Sequence, residues 1–61
     1  MTFTKDGDNI IVQANGGLTV VGHFEVCDEQ YVFVPRDGIT LASYELHALA
    51  WKCGALNIGR P

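Results

Sequence analysis

The side chains best suited to metal binding or nucleophilic chemistry are His23, Cys27, Ser43, His47 and Cys53. Their spacing argues against both chemistries. On a strand, His23 and Cys27 lie about 13 Å apart along the chain; on a helix, His47 and Cys53 point about 120° apart. Zinc ligands must converge on one ion at about 2.0–2.3 Å, and neither pair has the short spacing of a structural site. Ser43 and Cys27 have no neighbouring base held by a third group. Gly16-Gly17 is not followed by a helix, so no phosphate cradle forms there. Asp6-Gly7-Asp8-Asn9 begins like a calcium loop but lacks the later ligands. The expectation is a protein that is not an enzyme and holds no metal or cofactor.

The elements that would position these residues must fit within 61 residues, enough for a single small domain. A core that small is marginal for a monomer, and disulfides, a metal or a partner usually compensate. Hydrophobic residues at 48% exclude a disordered tail. No apolar run approaches the ~20 residues of a membrane span, and the polar start Met1–Asp6 does not read as a targeting segment. The expected compartment is the cytoplasm, that of a host bacterium if the gene belongs to a phage. Four basic residues against seven acidic ones give a net charge of −3. That balance offers no basic patch for phosphate backbones, so direct nucleic-acid binding is not expected. A protein partner with a basic surface, one that itself binds nucleic acid included, suits it better.

Along the chain, period-two apolar runs between turn signals predict strands at about 2–5, 9–14, 18–27 and 31–35. Asp6-Gly7, Asn15-Gly16-Gly17 and Cys27-Asp28-Glu29-Gln30 supply the turns, and Pro35 stops the fourth strand. Leu18, Val20, Phe24 and Val26 share one face of the third strand, unless a bulge at Gly22 resets the facing. Beyond Arg36-Asp37-Gly38 the period lengthens to about 3.6, predicting a helix over about 41–53. Thr40 is the expected N-cap, with Ser43 as the alternative. Ile39 would staple onto Tyr44, Gly54 would end the helix left-handed, and Lys52 would sit in its last turn. The fold class is therefore α+β: a four-stranded antiparallel meander followed by one C-terminal helix on the sheet.

Ala42, Leu46, Leu49, Ala50 and Cys53 form the stripe expected to face the sheet, with Leu41, Glu45 and Lys52 well away from it. Tyr44, His47 and Trp51 point elsewhere. The sheet is likewise apolar on both faces, at Ile10-Ile11-Val12 and Tyr31–Val34, while one helix covers one face. Either the sheet curls over its own second face with Trp51 along the domain edge, or this surplus is an interface to a copy or a target. In a meander the first and third turns share an end, which gathers Asp6, Asp8, Asp28 and Glu29. The negative pole of the helix points to that end too. Those carboxylates serve turn geometry, or they form a docking patch for a basic surface. Cys27 and Cys53 fall near the same end; a bridge there would be worth roughly 3 kcal/mol, but reduced thiols are the expectation without an export signal.

The string Ser43-Tyr44-Glu45-Leu46-His47-Ala48-Leu49-Ala50-Trp51-Lys52-Cys53-Gly54 resembles the first helix of a helix-turn-helix repressor. The resemblance covers a dozen residues and implies a small transcriptional regulator. With no room before Pro61 for a recognition helix, reading DNA would require a partner chain. The leading expectation is an inhibitor or adaptor that binds protein through Asp6, Asp8, Asp28 and Glu29 and through Tyr44, His47 and Trp51. Small acidic proteins of that style are common in phages and mobile elements, anti-CRISPR proteins among them. The alternative is an assembly subunit that completes its core as a homodimer or larger homo-oligomer.

Overall fold

A computed structural model describes residues 1–58. Four antiparallel strands form one sheet in the order β1-β2-β3-β4: β1 Thr2–Asp6, β2 Asn9–Ala14, β3 Thr19–Cys27 and β4 Gln30–Pro35. One helix, α1 Ser43–Asn57, follows and packs on the sheet. This is the α+β meander expected from the sequence. Gly59 to Pro61, including the chain end invoked against a recognition helix, lie outside the described residues.

Two-residue loops close the outer hairpins. Gly7-Asp8 joins the paired residues Asp6 and Asn9, with Gly7 at φ 61° in the first loop position. Asp28-Glu29 joins Cys27 and Gln30, and both loop residues take left-handed φ of 51° and 65°. Such a turn twists with its strands but normally uses Asn and Gly. The middle connection is a 3₁₀ turn, Asn15–Gly17, after which Leu18 stands exposed outside the strand.

Gly22 does mark a bulge. Val12 pairs with Gly22 while Gln13 pairs with Val20, leaving Val21 as the extra residue of β3. The facing expected for this strand is thereby corrected. Val20 lies across from Gln13 on the outer face, Phe24 lies across from Ile10 on the core face, and Leu18 does not belong to β3. Val21 is buried in their place. No side chain fits at Gly22: a Cβ there would run into the Val34 carbonyl oxygen and stand 2.9 Å from Phe33 Cζ. β3 and β4 approach closely because this position is bare.

Among the described residues, the buried hydrophobic side chains are Val12, Val21 and Phe24 from the sheet and Leu49 from the helix, with Val12 and Phe24 fully enclosed. The Phe24 ring sits between Phe33, at 5.3 Å between centroids, and Phe3, at 6.3 Å.

The helix differs from expectation at both ends and in its roll. It begins after Ala42, not Thr40, because the Glu45 carboxylate reaches back to accept the Ala42 N–H at 2.9 Å. Ile39 and Tyr44 are then no longer at staple positions: Ile39 packs on the core and Tyr44 is exposed. Gly54 stays right-handed, and the helix runs on to Asn57, so Lys52 is not in the last turn. The stripe facing the sheet is Leu49, Cys53 and Leu56, flanked by half-buried Glu45 and Lys52, while Ala42, Leu46 and Ala50 are exposed.

An anchor beyond the expected end explains the roll. Tyr31 N–H donates to Asn57 Oδ1 at 2.7 Å, and Asn57 Nδ2 donates to the Tyr31 carbonyl at 3.1 Å. Cys53 Sγ donates to the same carbonyl at 3.4 Å. Toward the other side, Lys52 Nζ lies 5.0 Å from the centroid of the Phe3 ring. These contacts turn Lys52 inward and Leu46 outward. No described helix is long and apolar enough to cross a membrane.

Candidate functional site

The residues singled out in the sequence fall on two separate surfaces. Asp6 ends β1 and Asp8 follows in the first loop; Asp28 and Glu29 make up the third. Meander topology puts both loops at one end of the sheet. They are stepped, because β3 continues past the level of the first loop by about two residues, or ~7 Å. All four side chains are exposed. The Asn57–Tyr31 clamp brings the C-terminus of α1 to this end, two residues beyond Glu29 on β4, so the negative pole of the helix joins the carboxylates.

Tyr44, His47 and Trp51 are all exposed on α1, Tyr44 at 76% and Trp51 at 72% of their surface. They point more than 120° away from the Leu49–Leu56 stripe at 100° per residue. Leu46, 53% exposed, adds apolar surface on the flank above β4. Tyr44 stands at the start of the helix, about 20 Å of helical rise from Asn57. The structure therefore gathers the carboxylates at one end and the aromatic residues along the helix, and does not merge the two. Near Tyr44, an open-sided depression of about 240 Å³ is lined by Met1, Ala14, Asn15, Tyr44, Glu45 and Ala48.

A third surface was absent from the residues chosen by sequence. Cross-strand partners share a face, so Ile11, His23 and Val34 form one row on the side of the sheet away from α1. Val20 and Val32 lie on the same side, and His23 pairs with Glu25 at 3.0 Å among them. The runs Ile10-Ile11-Val12 and Tyr31–Val34 carried the signal for a second apolar face. The bulge decides that Val20, rather than a residue of the Phe24 face, belongs to it.

Cys27 follows the parity of His23 and Glu25 onto this outer face and is exposed, whereas Cys53 is bonded to Tyr31 beneath the helix. Both are free thiols. Sharing one end of the fold does not bring them together, since they lie on opposite faces of the sheet. Among the described residues, no three His, Cys, Asp or Glu side chains converge as a metal site. Comparison of the chain with protein-family models, with curated proteins and with solved structures finds no match.

Proposed function

We propose that this protein is a small non-enzymatic protein-binding module, an inhibitor or adaptor, that contacts its target through Tyr44, His47 and Trp51. One observation carries the reading. Tyr44 and Trp51 are about three-quarters exposed on the only described helix, while the buried hydrophobic side chains among the described residues number four. Tyr and Trp bury large area at low entropic cost and dominate binding hot spots. The acidic end steers a basic partner into place and repels nucleic acid. Size and acidity fit the accessory proteins of phages and mobile elements.

Wild type, the pair Tyr44→Ala with Trp51→Ala, and the pair Asp28→Lys with Glu29→Lys are each used as bait in a bacterial lysate. The aromatic pair should lose the wild-type partner outright. The charge pair should keep it with slower association and a weaker dependence on salt. Full capture by a folded aromatic-pair variant would overturn the reading.

The uncovered outer face, with Ile11, Val20, Val32 and Val34, favours a second reading as an assembly subunit completed by copies of itself. A monomer at high micromolar concentration excludes it.

A further inference from the structure

Along an antiparallel strand, residues turn their N–H and C=O groups alternately toward the partner strand and away from it. The pair flanking a two-residue loop is hydrogen-bonded, so the next residue points outward. On β4 that residue is Tyr31, and Asn57 bonds both of its backbone groups from outside the sheet. The observed clamp thus confirms the parity rule at one edge. At the opposite edge, Asp6 and Asn9 flank the loop, so Phe3 and Lys5 turn their backbone groups outward. β1 has no proline, glycine or bulge, and all its residues except Phe3 are exposed. Of the devices that blunt edges, β1 keeps its shortness and the charges of Lys5 and Asp6 and lacks proline and a bulge, so a partner strand is admitted only in a register that gives Lys5 a favourable neighbour.

We propose that β1 is a homodimerisation edge, pairing antiparallel with β1 of a second copy across a two-fold axis at Thr4. The backbone admits that occupant, and the side chains favour this register. Centring the axis on Thr4 sets Phe3 opposite Lys5 of the copy, and both are residues whose backbone groups point outward. It also sets Thr4 against Thr4 on the outer face and Lys5 beside an aromatic ring, with no like charges opposed. Centring on Lys5 would oppose two ammonium groups. Growth stops at two copies, because β4 is closed by the Asn57 clamp and by Pro35, which has no N–H to donate. A five-residue strand makes a small interface, so the dimer is reversible and concentration-dependent.

Sedimentation equilibrium on the whole chain tests this. Wild type should move from 6.7 kDa toward twice that mass as concentration rises to the millimolar range. Thr4→Lys, at an exposed position, places like charges face to face and should raise the dissociation constant about tenfold or more. Trp51→Ala should dimerise as wild type does. Hydrogen exchange supplies a readout that needs no variant: the Phe3 and Lys5 amides should gain protection with concentration, and the Tyr31 amide should not. A wild type that stays monomeric at millimolar concentration overturns the proposal. So does a folded Thr4→Lys that dimerises undiminished, which would place the contact on another surface.

Discussion

The two edges of the sheet are built differently. β4 pairs with β3 through a glycine that admits no side chain, lies under α1, and has Tyr31 bonded by Asn57 and Cys53. β1 pairs with β2 alone and meets the helix through the Lys52 ammonium over Phe3. The helix does not blanket the sheet; it fastens one side of it. Stability is therefore concentrated in β2, β3, β4 and α1, with the extra fastening on the β4 side, while β1 and the outer helix face are left available for contacts. A 61-residue chain has a stability of only roughly 3–9 kcal/mol, so damage to the fastened half should be disproportionate.

The largest effect is expected at Gly22. Gly22→Ala forces a methyl group into the Val34 carbonyl, and backbone must move to make room. A loss of about 3 kcal/mol or more is expected, enough to abolish the cooperative urea transition. Thr4→Ala on β1, an exposed residue, should shift the same transition by no more than about 0.5 kcal/mol. Comparable losses at the two positions would show that the edges are equally fastened.

Asn57→Ala comes next. It removes both hydrogen bonds between Asn57 and Tyr31, whose carbonyl keeps the Cys53 thiol, and uncovers that stretch of the β4 edge, at a cost of about 1–2 kcal/mol in thermal or chemical melts. It should also change assembly: with both edges open, discrete species should give way to larger ones in light scattering. A variant that loses stability without assembling further would limit the clamp to holding the helix.

A smaller effect, with the opposite sign, is expected at the third loop. Glu29 holds a left-handed conformation, with φ at 65°, that brings the Cβ of any L-residue close to the following carbonyl oxygen. Glu29→Gly should stabilise the protein by about 0.5–1 kcal/mol, raising the melting temperature by about 4 °C. No gain would mean that the contacts Glu29 makes offset its backbone strain.

The strands were legible because period-two apolar runs and two-residue turns are local signals, and Gly22 flagged its bulge for the same reason. The direction of the bulge was not legible. It depends on Val21, rather than Val20, entering the core against Val12 and Leu49. The roll of the helix was hidden more deeply. With apolar residues around most of its circumference, α1 offers several plausible buried stripes, and the one adopted is chosen by Asn57 bonding Tyr31, 26 residues away. A polar residue past a glycine looks like a helix ending, and here it is the anchor. The acidic end followed from topology alone. The open β1 edge could be recognised only after the closed one was seen.

The smallest effect on stability should be at Trp51, where it is the most informative. A tryptophan fastened into the core would cost about 3–5 kcal/mol on truncation to alanine. At 72% exposure, on the face of α1 turned away from Leu49 and Leu56, Trp51 has little packing to lose. Trp51→Ala should therefore melt within about 0.5 kcal/mol of wild type, by circular dichroism since the variant lacks tryptophan fluorescence. A large loss would move Trp51 into the fastened half and remove the aromatic face as a docking surface. Near-neutral stability combined with lost partner capture would separate folding from binding at one residue: the half of the molecule that holds the fold would then be distinct from the half that meets its target.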